Sequence, residues 1–134
     1  MNALDLTREL LHFDTINPPG EEEVCARHLG RLLEAAGFRV EERAYAPKRT
    51  SLVARIGANG DVPPLCFTGH IDVVPLGGTP WSRDPFAGET DGGRLYGRGS
   101  SDMKGGVAAF VVAALRLAGK LSGSPGLDYS LLQS

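Results

Sequence analysis

The chain has 134 residues, 42% hydrophobic and 22% charged, with a formal net charge of −2. That length and balance fit one globular domain built on a single core. Basic residues are scattered from Arg8 to Lys120 instead of forming a stripe, which argues against a surface that neutralises a run of phosphates and so against a nucleic-acid partner.

The chain opens on MNALDLTREL, where Asp5, Arg8 and Glu9 interrupt the apolar stretch a secretory leader requires. Asp5 is placed to cap a short helix through Phe13, with Leu6, Leu10 and Phe13 on one apolar edge, and INPPG stops it. Glu21, Glu22 and Glu23 suit the positive end of a second helix, in which Cys25, Leu29, Leu32, Leu33 and Ala36 recur at helical spacing before Gly37. From Phe38 the period becomes two: Phe38 and Val40, then Leu52, Ala54 and Ile56, alternate with polar or outward residues and predict two strands around a turn at Pro47. Leu65 to Phe67 carries no charge on either face, which predicts a central strand covered on both sides. TDGGRLYG predicts a hairpin turning at Asp91-Gly92-Gly93. A last helix is expected from near Met103, with Val107, Phe110, Val111, Ala114 and Ala118 in a stripe and Gly119 at its end. Its uncharged core VAAFVVAAL is nine residues long, short of the roughly 20 that span a bilayer.

Interleaved helices and strands predict an α/β fold, a layered sheet with helices on both faces, over residues 1–119. Residues 120–134, KLSGSPGLDYSLLQS, are turn-rich and read as a truncated or aberrant C-terminal tail in which only YSLLQS offers strand material. Cys25 and Cys66 show no C-x-x-C or Cys/His spacing and are expected to be small buried hydrophobes. A cytoplasmic protein with no membrane partner is expected.

Ten of the 18 glycines lie between Gly69 and Gly106, and the candidate chemistry lies there too. In CFTGHIDVVP, His70 and Asp72 are two apart at the end of a strand, so both side chains leave one face, at the edge where α/β sheets bind ligands. Imidazole suits zinc, and a carboxylate on its other ring nitrogen fixes tautomer and orientation. The same pair would equally serve as a hydrogen bond tying a loop to the strand. Asp102, in GRGSSDMKGG, is either a helix N-cap or an anionic ligand favoured in its ionised form by the helix terminus. GRGSSD lacks the third glycine of a dinucleotide loop, and Asp102 in its place would repel a pyrophosphate. No serine or cysteine shows the setting of an activated nucleophile. Arg98 and Lys104 could meet anionic substrate groups, with an ion pair to Asp84 or Asp91 as the structural role for Arg98. Trp81 and Phe86 are expected to staple their loop to the core.

GHIDVVP (69–75), WSRDPF (81–86) and DGGRLYGRGSSDMKGGVAA (91–109), together with NPPGEEE and AAGFRVE, closely resemble the co-catalytic zinc amidohydrolase and metallopeptidase family. That family includes acetylornithine deacetylase, succinyl-diaminopimelate desuccinylase, aminoacylase-1 and carboxypeptidase G2. The resemblance implies the N-terminal part of the family's catalytic domain. It further implies two Zn2+ ions in the complete site, replaceable by Co2+ or Mn2+. His70 matches a zinc ligand, Asp72 the catalytic acid that clamps that imidazole, and Asp102 the carboxylate bridging both ions. A cis peptide at Asp102–Met103 is implied as well. The implied activity is hydrolysis of the amide bond of N-acyl amino acids or short peptides, a deacetylase or aminoacylase type of reaction, in relatives that are often homodimers.

One departure matters. The family's general base and a further ligand form a Glu-Glu pair after the strand that follows the Asp102 helix, and the only consecutive glutamates here are at 21–23 and 41–42. A zinc ion takes three or four protein ligands, so His70 and Asp102 alone are too few. The expectation is an incomplete hydrolase fragment, inactive alone; the other reading is a non-catalytic remnant kept as an interaction domain.

Overall fold

The computed structural model describes residues 1–57, 63–121 and 129–133, with residue 121 and the last five as backbone only. Helix α1 (Ala3–Leu11) is capped by Asn2 and not by Asp5: the Asn2 side chain accepts from the Asp5 amide at 3.0 Å, and the Asp5 carboxylate accepts from the Asn2 amide at 3.4 Å. Asp5 is thus the third helical residue of a reciprocal capping box. Helix α2 (Glu23–Ala35) buries Cys25, Ala26, Leu29, Gly30 and Leu33, and the Gly37 amide closes its end on the Glu34 carbonyl at 2.9 Å.

The two predicted strands, β1 (Arg39–Ala46) and β2 (Arg49–Ile56), pair antiparallel, with Lys48 at φ 60° in the turn. β3 spans Leu65–Gly69, the hairpin strands β4 and β5 span Thr90–Asp91 and Arg94–Leu95, and α3 spans Gly105–Leu121. A final strand, β6 (Tyr129–Gln133), lies between β2 and β3, antiparallel to the first and parallel to the second, giving the order β1-β2-β6-β3. The stretch YSLLQ therefore supplies an interior strand, and β3, expected at the centre, is an edge among the described strands. Its alternation turns Phe67 inward and leaves Cys66 and Thr68 exposed, and Leu65, at its start, is exposed as well. Cys66 is accordingly a surface thiol, contrary to its expected burial, whereas Cys25 is buried as predicted.

Helix α3 starts later than Met103 because Asp102 (φ −129°, ψ 97°) and Met103 (φ −134°, ψ 28°) leave helical geometry, and it runs past Gly119 to Leu121. One cluster unites the layers: Leu6 and Leu10 of α1, Leu29 and Leu33 of α2, Val107 and Val111 of α3, and Leu52, Ala54, Ile56 and Phe67 from the sheet. Phe67 stacks on Phe110, ring centroids 5.8 Å apart. Helices on a sheet give the α/β class predicted from sequence. Among the described residues no helix is long and apolar enough to cross a membrane.

Burial pushes the Cys25 thiol up to about 11 against the pull of Lys104. The unfolded chain ionises that thiol near 9.0, so between the two values it binds fewer protons than the folded state, and stability falls as pH rises. The loss totals roughly 3 kcal/mol at 1.36 kcal/mol per unit. Lys104, lowered by its own burial, adds a rising limb at alkaline pH, so the thiol must be read as a difference. In urea titrations from pH 8 to 11, Cys25→Ala is expected to gain on the parent chain steadily with pH; parallel curves would refute it.

Candidate metal centre

The site is built where the segment after β3 meets the segment after α1. Thr15, wholly buried, donates its hydroxyl to the Ile71 carbonyl at 2.6 Å, and Ile16 bridges Val73 in parallel. The Val73 amide donates to the Thr15 carbonyl (3.0 Å) and the Asn17 amide to the Val73 carbonyl (2.8 Å). These bonds hold the backbone of His70 to Val73 while their polar side chains face a cleft.

Asp102 arrives from the other side on the turn Ser100–Lys104, closed by the Lys104 amide on the Gly99 carbonyl at 2.9 Å. Gly99 sits at φ 87°, and a Cβ there would lie 2.5 Å from Val73 Cγ1, so this turn can approach the His70 segment only with glycine at that position. The Asp102–Met103 peptide is cis, as the resemblance implies.

The three predicted residues converge. His70 Nε2 lies 3.0 Å from Asp102 Oδ1, and His70 Nδ1 lies 3.1 Å from Asp72 Oδ1 and 3.0 Å from the Asp72 carbonyl. Asp72 is therefore the orienting carboxylate, donating nothing and accepting the Nδ1–H. Asp102 does not cap α3; its side chain is 87% exposed and reaches His70. Asn17, read from sequence as part of a helix stop and of the NPPGEEE motif but assigned no role, donates Nδ2 to Asp72 Oδ2 at 2.9 Å. A separation of 55 residues joins that pair, and no local pattern signals it.

Burial lowers the proton affinity of His70, but hydrogen bonds to the Asp72 carbonyl and the Asp102 carboxylate, with the charges of both acids, outweigh it and raise the group above the ordinary histidine value. In an NMR titration of the metal-free chain, Asp102→Asn is expected to bring the His70 midpoint down by removing one of those charges, and an unmoved midpoint would contradict the contact.

Asn17, His70, Asp72, Arg98 and Asp102 line a cleft of about 170 Å³. Two larger hollows, about 390 and 370 Å³, lie by the β4–β5 hairpin and along α2, but neither contains a histidine or a cysteine. Of these three hollows, the smaller cleft is the one that sets an imidazole beside carboxylates.

Three expectations are corrected. Lys104 cannot meet substrate: it is wholly buried, its Nζ donating to the Leu10 and Phe13 carbonyls at 2.9 and 2.8 Å. Arg98 does not pair with Asp84 or Asp91; its guanidinium lies over the Trp81 ring at 5.0 Å and donates to the Leu76 carbonyl at 3.4 Å. Asp91 is taken by Arg83 at 2.7 Å. Trp81, 39% exposed, staples its loop to itself through the Leu76 carbonyl at 3.1 Å and to Arg98, not to the core.

The donor set fits a zinc-type ion in part. An imidazole nitrogen and a carboxylate oxygen face one point, and the far ring nitrogen is held by a carboxylate, the usual outer arrangement of a metal-bound histidine. Among the described residues no group of three or more His, Cys, Asp or Glu side chains could hold a metal ion between them, so these two would supply at most part of a ligand set.

Residues 66–129 match the family model described as peptidase family M20/M25/M40. A succinyl-diaminopimelate desuccinylase from Xanthobacter autotrophicus is 45% identical over 114 residues, covering 82% of this chain and 29% of the relative. One from Methylobacterium radiotolerans is 44% identical, covering 84% and 29%. An M20-family metallo-carboxypeptidase from Sulfolobus solfataricus superposes with a TM-score of 0.82 at 27% identity, over 100% of this chain and 30% of that one. Human carnosine dipeptidase 1 shares the fold, with a TM-score of 0.80 at 23% identity over 98% and 31%. The chain thus spans about 30% of the length of the relatives it matches.

Proposed function

The chain belongs to peptidase family M20/M25/M40, and from that premise we propose that it carries part of the metal site of a hydrolase that cleaves the amide bond of N-acyl amino acids or short peptides. The observation that carries this reading is the approach of His70 Nε2 to Asp102 Oδ1 at 3.0 Å while Nδ1 rests on Asp72. His70 and Asp102 would be the ligands and Asp72 the positioning acid. A desuccinylase-like substrate, an acyl group on an amino acid, is favoured by the relatives at 44–45% identity.

Zinc, when bound in such a site, supplies an activated water and Lewis-acid polarisation of the scissile carbonyl. What this chain's own residues do is narrower. Asp72 accepts the Nδ1–H, so in the free chain the second ring nitrogen donates its proton to Asp102, and its lone pair would face a cation only once that proton has left. Asp102 stays exposed, so its carboxylate is open to a cation instead of being spent on a helix cap. With a histidine and a carboxylate alone, the chain is proposed to bind Zn2+ weakly and to lack hydrolytic activity, because nothing among the described cleft residues serves as a general base apart from acids already tied to His70. A cytoplasmic location is part of this proposal.

The test is Zn2+ titration of the chain, followed by the His70 ring resonances. A saturable shift at His70 Nε2 that Asp102→Asn abolishes supports the reading, and a shift confined to His12 or His28 would sink it. Zinc-dependent amide hydrolysis by the isolated chain would overturn the proposed inactivity.

A further inference from the structure

The hydrogen bonds around His70 do not stop at Asp72. Glu22, 2% exposed, receives Arg49 in two bonds, from Nη2 at 2.8 Å and Nε at 3.2 Å. Arg49 Nη1 points to Asn17 Oδ1 at 3.5 Å, the longest and weakest link. Asn17 Nδ2 donates to Asp72 Oδ2 at 2.9 Å, and Asp72 Oδ1 takes the His70 Nδ1–H at 3.1 Å.

The chemistry of this line is directional. A cation faces the Asn17 carbonyl oxygen and an anion faces its amide nitrogen; turning the amide over would set donor against donor and acceptor against acceptor. Charge alternates from Glu22 to Arg49, across the Asn17 dipole, to Asp72 and His70. The guanidinium is held charged first by its hydrogen bond to Glu22 and, at longer range, by the field of Asp72. The five residues come from four separate stretches of chain: the NPPG loop, the start of α2, the start of β2 and the end of β3. Gly20 leaves room for them: at φ 80°, a Cβ there would lie 2.7 Å from Arg49 Nε and 3.0 Å from Glu22 Oε1.

We propose that buried Glu22 and half-buried Arg49 form a positioning device that acts through Asn17 to hold the Asp72 carboxylate, and thereby the orientation and protonated nitrogen of His70. With Oδ2 occupied by Asn17, Oδ1 is the carboxylate oxygen left to accept from the imidazole, beside the Asp72 carbonyl at 3.0 Å. Arg49 and Glu22 touch neither substrate nor cation; they set the rotamer of a residue that sets the rotamer of a ligand. The consequence for metal chemistry rests on the reading of His70 as a ligand. The consequence for the His70 ring does not.

The experiment uses the whole metal-free chain and reads the His70 Nδ1–H proton in 1H–15N correlation spectra, assigned by its loss in His70→Ala. In the parent a downfield, slowly exchanging proton is expected. Asn17→Ala and Arg49→Met are expected to lose it by broadening or an upfield shift, and Arg49→Lys, which keeps the cation, is expected to restore it in part. A change of stability alone would not produce that pattern. Should Arg49→Met fail to fold because Glu22 is left buried and unpaired, the double variant Glu22→Leu/Arg49→Leu removes both charges while keeping the site filled. Loss of the signal in that folded variant supports the proposal, and an unchanged signal overturns it. Zn2+ is then added to each chain. If the parent's His70 does not respond, the metal reading fails while the Nδ1–H comparison still decides the positioning role; if the parent responds and the variants match it in both proton and affinity, the positioning role fails and the metal reading stands.

Discussion

His70→Ala and Asp102→Asn are each expected to abolish specific Zn2+ binding, measured by competition with a chromophoric chelator. The site has a nitrogen and a carboxylate facing each other at 3.0 Å, and removing either leaves a single protein ligand, which cannot hold zinc against water. Asp72→Asn tests a different part of the geometry. It leaves both ligands in place but replaces the acceptor of the Nδ1–H with an amide that can turn either way, so affinity is expected to fall by about 10-fold to 100-fold, the range for outer-shell partners. The ordering of the variants is the discriminating result. If all three lost the same amount, Asp72 would be a ligand and not a clamp; if Asp102→Asn lost nothing, the His70–Asp102 contact would be a plain hydrogen bond and the metal centre would lie elsewhere.

How far the sequence exposed this site depended on the range of each signal. His70 and Asp72 are two residues apart at a strand end, so strand geometry alone puts them on one face, and they do share a hydrogen bond. Asp102 was ambiguous because capping and metal ligation ask for the same carboxylate at a helix start; the backbone angles at Asp102 and Met103 remove it from the cap and turn it to His70. The helices and β1–β2 were legible from their periods of 3.6 and 2. The place of β3 was not, because an uncharged run of three residues is equally consistent with a centre or an edge, and the strand that takes the interior place is supplied from Tyr129–Gln133, far along the chain. Asn17 and Arg49 had no local signal at all: each is joined to the site across 32 or more residues, and their polar side chains look like ordinary loop and strand-end residues until the fold brings them together.

Lys104→Met is expected to destabilise the chain by about 2–4 kcal/mol, read as a lower midpoint in urea denaturation. From sequence this lysine looks like a substrate-facing cation beside Asp102, yet its whole side chain is buried, and its ammonium donates to the Leu10 and Phe13 carbonyls at the C-terminal end of α1. Two effects oppose each other there. Desolvation lowers its proton affinity, which measures the penalty of burying the charge. Against it stand two charge-assisted bonds of about 1.5–3 kcal/mol each and the negative end of a helix. Methionine fills nearly the same volume, so no large cavity opens, and the penalty is removed along with the bonds. The carbonyls, however, remain. Leu10 keeps the Phe13 amide at 3.3 Å, but the Phe13 carbonyl loses the donor at 2.8 Å, and the backbone of α1 is no longer tied to the turn that carries Asp102. The variant should therefore lose zinc affinity beyond what Asp72→Asn loses, without any ligand having been touched. A midpoint equal to the parent's would mean that desolvation and bonding cancel, and an affinity equal to the parent's would mean that the turn holds Asp102 in place through its own backbone alone.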